Sequence, residues 1–199
     1  APTFGGINLE DIKAPECFDI EDALVDALDI PVMHDDQHGT AIVIGAGLLN
    51  AMEITGRNVK DCTVVIMGAG AAGIAAAKFL LALGFKSEHI TLVDSKGPVW
   101  KGRGQLSPEK QAFARDENVG DLTAVLRGAD CFIGCSVRDV LSPDMLKGMA
   151  ARPIIFTCAN PGPEIAYDLA RAARPDAILA TGRSDYPNQV NNVLGFPFI

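Results

Sequence analysis

Between Cys62 and Thr181, short apolar runs alternate with helical patterns, and this alternation restricts the fold more than any other feature of the chain. The runs are CTVVIM (62–67), HITLVD (89–94), DCFIGC (130–135), PIIFTC (153–158) and AILAT (177–181). Strands that are apolar on both sides need cover on both faces, which a parallel sheet between helices provides. The segments between them read as helices: Ala71 to Leu83, ended by Gly84, then weaker ones at 107–114, 121–127, 142–150 and 163–172. The expected fold is α/β, with a doubly wound, mainly parallel, Rossmann-like sheet and helices on both faces.

Residues 1–55 differ in style. DIEDALVDAL (19–28) has apolar positions at helical spacing behind an acidic start, and IPVM (30–33) reads as a short strand. A nearly wholly apolar helix is expected to start near Gly39-Thr40 and run to about Ile54, with Gly56 ending it. This gives a lead-in and metal-binding segment at 1–55 and a dinucleotide-binding domain at 56–199, together forming one compact unit. At 199 residues, with 48% apolar and 21% charged, the chain is long enough and apolar enough to bury a core.

GAGAAG, from Gly68 through Ala69, Gly70, Ala71 and Ala72 to Gly73, matches G-x-G-x-x-G between a strand and a helix. The first glycine allows a tight turn, the second a close approach to a pyrophosphate, and the third close helix–strand packing. The helix N-terminus offers free N–H groups to phosphates. Asp94, ending the next strand, can accept hydrogen bonds from a ribose diol, which argues for NAD. Ser95, Lys96, Lys101 and Arg103 follow closely, and a cation there could neutralise a 2′-phosphate, so NAD and NADP both stay open. The plainer reading is a glycine turn that serves packing alone.

GINLEDIKAP carries Glu10 and Asp11, and Asp35 and Asp36 follow in HDDQHGTA (34–41). Oxygen ligands suit a hard cation, Mg²⁺ or Mn²⁺, which leaves positions for a chelating substrate. In extended chain the neighbours Asp35 and Asp36 point to opposite sides, so one ligates and the other braces it. His34 and His38 have the H-x-x-x-H spacing of zinc helices, but that spacing needs continuous helix, which the pattern does not supply here. The competing reading of Glu10-Asp11 is a solvated surface pair.

TGRSDYPNQVNN (181–192) and ANPGPE (159–164) are polar segments that follow strand ends. Ligands of open α/β sheets bind beyond the carboxyl ends of strands, so Asn160, Asn191 and Asn192 could face one crevice. Amides there suit a carboxylate or a carboxamide, with turn and cap chemistry as the alternative.

A net charge of −8 without a basic patch argues against nucleic acid and against an anionic membrane surface. No stretch approaches the roughly 18 uncharged apolar residues of a membrane span. The five scattered cysteines read as free thiols of a reducing cytoplasm. The start at Ala1 and the apolar close Phe196-Pro-Phe-Ile199 suggest a piece of a longer protein.

Together these segments resemble the malic enzymes, especially their shorter bacterial type. FGGINLEDIKAPECF (4–18), IPVMHDDQHGTA (30–41), GAGAAG (68–73), VDSKG (93–97), ANPGPE (159–164) and TGRSDYPNQVNNVLGFPFI (181–199) carry the resemblance over nearly the whole chain. It implies that Glu10, Asp11 and Asp36 hold the divalent metal, that Asp35 supports them, and that Thr40 lies near the cofactor. Asn160, Asn191 and Asn192 match positions around malate and nicotinamide. The implied activity is metal-dependent oxidative decarboxylation of malate to pyruvate and CO₂ with reduction of NAD(P)⁺, in a homo-oligomeric full-length protein. The family's acid–base pair, a Tyr and a Lys from a region before the metal segment, has no counterpart here, so this portion is expected to be inactive alone. Two other readings compete: a non-catalytic nicotinamide-dinucleotide-binding module and another NAD(P)-dependent dehydrogenase.

Overall fold

A computed structural model describes residues 3–198. The chain opens with β1 (Ile7–Leu9), α1 (Glu16–Ala27) and β2 (Val32–His34), with β1 and β2 paired in parallel as a small separate sheet. Helix α2 (Asp35–Thr55) follows at once and is closed by Gly56 in left-handed conformation at φ 73°. Then come β3 (Val64–Met67), α3 (Ala71–Ala82), β4 (Ile90–Asp94), β5 (Gly97–Pro98), α4 (Pro108–Gln111) and α5 (Leu122–Leu126). The chain continues with β6 (Cys131–Gly134), α6 (Pro143–Lys147), β7 (Ile154–Thr157), α7 (Tyr167–Ala173) and β8 (Ile178–Thr181), and ends in a 3₁₀ segment, Asn192–Phe198.

The main sheet has six strands in the order β5-β4-β3-β6-β7-β8. All its pairs are parallel except the edge pair β4–β5. From β3 the chain first builds outward to β4 and β5, then returns to place β6 on the other side. The gap between the ends of β3 and β6 is therefore the topological switch point, where ligands of such sheets bind.

Period-two alternation divides each strand between two cores. Val64, Ile66, Ile133 and Phe156 pack with Ile44, Leu48, Ile74 and Leu80 on one face. Val65, Met67, Phe132 and Ile155 pack with Leu126, Leu146 and Ala170 on the other. Both faces are covered, which is why these strands carry almost no polar residue. Cys17 and Phe18 of α1 enter the first core, so the lead-in and the sheet share it. Helices α2 and α3 lie close together at Gly45, where an added Cβ would come within 2.4 Å of the Phe79 ring.

Several boundaries differ from expectation. Helix α2 begins at Asp35, not near Gly39-Thr40, with Asp35 and Asp36 filling its acidic first turn. Gly39 lies inside the helix because the Asp35 side chain folds over it: a Cβ there would meet Asp35 Oδ1 at 2.0 Å. The helix expected at 163–172 starts only at Tyr167, because the Glu164 carboxylate accepts loop N–H groups from Ser136 and Ala159. The helices expected at 107–114 and 142–150 shrink to α4 and α6, and the short strands β1 and β5 were not foreseen. Among the described residues no helix is long and apolar enough to cross a membrane. All five cysteines are free.

Candidate metal and dinucleotide site

A cavity of about 550 Å³ opens where the turn after β3, the loop after β7, the start of α2 and the tail meet. Asp11, Asp36, Thr40, Ala71, Ala72, Asn160, Asn191 and Asn192, all singled out from the sequence, line it. A smaller cavity of about 240 Å³, around Thr63, His89 and Arg127, gathers none of them.

Glu10, Asp11 and Asp36 each present a ligand oxygen, and these atoms lie within 4.8 Å of one another. Opposite ligands of one Mg²⁺ sit roughly 4.2 Å apart, twice a metal–oxygen distance of about 2.1 Å. An all-oxygen set at this spacing fits a hard divalent cation, with only a small contraction needed. Asp11 has φ 57°, which Asp tolerates better than most residues, and its backbone N–H donates to Asp36 Oδ2 at 2.9 Å. Partial desolvation, then the nearby carboxylates of Asp35, Asp36 and Asp11, push the Glu10 carboxyl up. A cation among them would reverse that repulsion.

Asp35 is fully buried, and burial pushes its carboxyl up against the opposing hydrogen bond from Asn192. Its Oδ2 accepts from the Asn192 amide, while Oδ1 has no partner among the described residues. The helix separates the two aspartates: Asp35 turns inward and Asp36 toward Glu10 and Asp11. The two histidines do not converge on a zinc. His34 Nε2 lies 3.2 Å from Asp36 Oδ2, whereas His38 Nε2 bonds Glu21. His34, which the sequence leaves without a role, is fully buried and touches a candidate ligand.

The glycine turn has the form its spacing requires. Gly68 has φ 114°, and a Cβ there would come within 2.3 Å of Cys135 O at the end of β6. A Cβ on Gly73 would meet Gly68 O at 1.8 Å, so helix and strand touch through that position. Above Gly70 nothing lies within 4 Å, leaving open space at the N-terminus of α3, which has 12 residues. Ala69 is buried beneath the turn.

Asp94 is already fully engaged. Arg103 Nη2 donates to both its oxygens at 2.7 and 2.6 Å, Lys110 Nζ to Oδ2 at 2.8 Å, and Lys96 N to Oδ1 at 2.9 Å. Burial alone would raise its pKa, but Arg103 and Lys110 outweigh burial and hold Asp94 at about 2. Lys101 instead pairs with Asp116.

Asn191 bonds the backbone, donating to Gly182 O at 3.1 Å and accepting from Val193 N at 3.0 Å. Its side chain thus has the turn role weighed against a ligand role. Asn160 is exposed at the cavity rim. Tyr167 and Tyr186 stack on each other with ring centroids 4.8 Å apart, and neither lines the cavity.

Residues 37–199 match the family model described as "Malic enzyme, NAD binding domain". The chain belongs to the malic enzyme family. It is 55% identical to the NADP-dependent malic enzyme of Halomonas elongata, over all of this chain and 47% of that protein. It is 52% identical to the NAD-dependent malic enzyme of Rhizobium meliloti, over all of this chain and 26% of that protein. The solved NAD-dependent malic enzyme of Thermotoga maritima superposes with a TM-score of 0.91 at 48% identity, covering 98% of this chain and 53% of that one. The chain thus spans about half or less of each of these malic enzymes.

Lys13, Glu21, Gln37, Lys110 and Glu164 were not among the residues singled out. Lys13, Glu21, Gln37 and Glu164 stand in segments already quoted, LEDIKAP, DIEDALVDAL, HDDQHGTA and ANPGPE. Lys110 lies 16 residues beyond Asp94, with no motif to mark it.

Proposed function

We propose that this chain supplies the cofactor and metal sites for oxidative decarboxylation of malate to pyruvate and CO₂, with reduction of NAD(P)⁺. The observation that carries this reading is the single cavity that unites Asp11 and Asp36 with Ala71 and Ala72 of the glycine-turn helix and with Asn160 and Asn192. Glu10, Asp11 and Asp36 would hold Mg²⁺ or Mn²⁺. A cation bound there would supply Lewis-acid chemistry, polarising the C2 oxygen of malate and stabilising the negative charge left by loss of CO₂.

The chain's own groups do the rest of the positioning. The N–H groups at the start of α3, beside the open space at Gly70, would hold the pyrophosphate of the dinucleotide. Lys13 and the amides of Asn160 and Asn192 face the space where a carboxylate substrate would lie. Asp35 fixes the Asn192 amide through its hydrogen bond. The proton-transferring Tyr and Lys expected from the resemblance belong to the remainder of the protein. Turnover, homo-oligomeric assembly and cytoplasmic location are accordingly proposed for the whole protein. The division between residues 55 and 56 is likewise proposed.

The same geometry favours NADP⁺ over NAD⁺. Both Asp94 oxygens are saturated by donors, so the carboxylate has little capacity left for a ribose diol. Arg103 and Lys110 against the one carboxylate leave a local excess of positive charge, which suits a 2′-phosphate. A non-catalytic dinucleotide-binding module would account for the turn but gives the three carboxylates no task.

Titration of the chain with NAD⁺ and NADP⁺, each with and without Mn²⁺, tests the binding half of this reading. The expected result is Mn²⁺ uptake that depends on Glu10, Asp11 and Asp36, and tighter binding of NADP⁺. Malate-dependent NADPH formation is expected from the full-length protein and not from this chain. A normal rate from the isolated chain would overturn the proposed division of labour.

A further inference from the structure

We infer that Glu21, Gln37 and His34 are positioning residues for the divalent cation, a buried relay that runs from α1 to Asp36 and sets which of its oxygens meets the metal. The inference rests on the metal reading above. Asp36 Oδ2 takes both protein contacts, Asp11 N at 2.9 Å and His34 Nε2 at 3.2 Å. Oδ1 is left with its lone pairs for a cation.

The relay fixes the His34 tautomer. Gln37 Nε2 lies 3.0 Å from Glu21 Oε2 and 3.1 Å from His34 Nδ1. A carboxylate only accepts, so the nitrogen of the Gln37 amide faces Glu21, and its second hydrogen reaches Nδ1. Nδ1 therefore accepts, and the ring proton sits on Nε2, where it donates to Asp36. Glu21 also accepts the backbone N–H of His34 at 2.9 Å, pinning the ring's base as well as its partner. His34, Gln37 and Glu21 are 0%, 4% and 8% exposed, so water competes little for the bonds among these three. Outer-shell partners of this kind typically change metal affinity by about 10- to 100-fold when removed.

Mn²⁺ binding to the chain, read from the electron paramagnetic resonance of the free ion, tests this together with NADP⁺ titration. His34→Leu is expected to weaken Mn²⁺ binding by about 10- to 100-fold. His34→Gln, whose amide nitrogen can reach the place of Nε2, is expected to recover most of that loss. Gln37→Glu keeps the shape but cannot donate to Nδ1. It is expected to weaken Mn²⁺ binding by roughly tenfold and to shift the ¹⁵N signature of His34 away from the Nε2–H tautomer. NADP⁺ affinity at the glycine turn stays as in the parent.

Parent-like Mn²⁺ affinity in both His34→Leu and Gln37→Glu overturns the inference while leaving the metal site standing. So does a parallel fall in Mn²⁺ and NADP⁺ affinity, which marks general loss of structure. A parent chain that takes up no Mn²⁺ overturns the metal reading and the relay with it.

Discussion

The Asp35 carboxylate accepts the side-chain amide of Asn192, 157 residues further along the chain, and so ties the head of α2 to the polar tail. Asp35 is wholly buried and has no other side-chain donor on either oxygen among the described residues. Asn192→Ala should therefore cost about 1–3 kcal/mol, the penalty of an unsatisfied buried acceptor. Urea unfolding monitored by circular dichroism measures it, and a change below a few tenths of a kcal/mol would show that the tie is dispensable.

Asp36→Asn removes the charge between Glu10 and Asp11. The parent, at Mn²⁺ concentrations near 100 times its dissociation constant, should gain about 2.7 kcal/mol by mass action. The variant should show almost none of this gain in the same thermal-shift series. Equal shifts in the two proteins would place the cation elsewhere.

Two glycines three positions apart should behave differently. Gly73→Ala drives a methyl group into Gly68 O, at 1.8 Å, and should both destabilise the fold by about 1–3 kcal/mol and remove nucleotide binding. Gly70→Ala meets no atom within 4 Å, so the fold should survive while dinucleotide affinity falls. Calorimetric unfolding paired with NADP⁺ titration separates the two outcomes.

Asp94 provides a pH signature. Its folded pKa of about 2 lies below the ordinary 3.8, so the stability it contributes is complete above pH 4 and is lost as pH falls through about 2. The Arg103 and Lys110 contacts should thus make the parent more stable than Asp94→Asn at pH 6, with the gap closing between pH 4 and 2. Thermal unfolding across that range checks the sign. Arg103→Ala should also lower NADP⁺ affinity by about tenfold or more, with a smaller effect on NAD⁺. Equal losses for both cofactors would remove the 2′-phosphate from the argument.

The sheet was legible because its strands are apolar on both faces, and hydrophobic periodicity carries that information along the chain. The cavity was legible as pieces: Asp11, Asp36, Asn160 and the glycine turn each lie in a segment with its own local logic. Their convergence was not, since it depends on α2 packing against α3 and on the tail returning to Asp35. The start of α2 was misplaced because Gly39 resembles a breaker, whereas here it makes room for a carboxylate. His34 was read only as half of a zinc pair, because its contact with Asp36 depends on a helix starting one residue later. Lys110 escaped because an ion pair across a loop has no period.

Gly45 holds a consequence for variation in this molecule. It lets α2, which carries Asp36, lie directly on α3, whose N-terminus is the proposed pyrophosphate site. The separation between Asp36 and the glycine turn, and with it that between the proposed cation and dinucleotide, therefore depends on a helix-to-helix contact. An added methyl at Gly45, which lines none of the site, would press on the Phe79 ring of α3 and so bear on the spacing of the two helices.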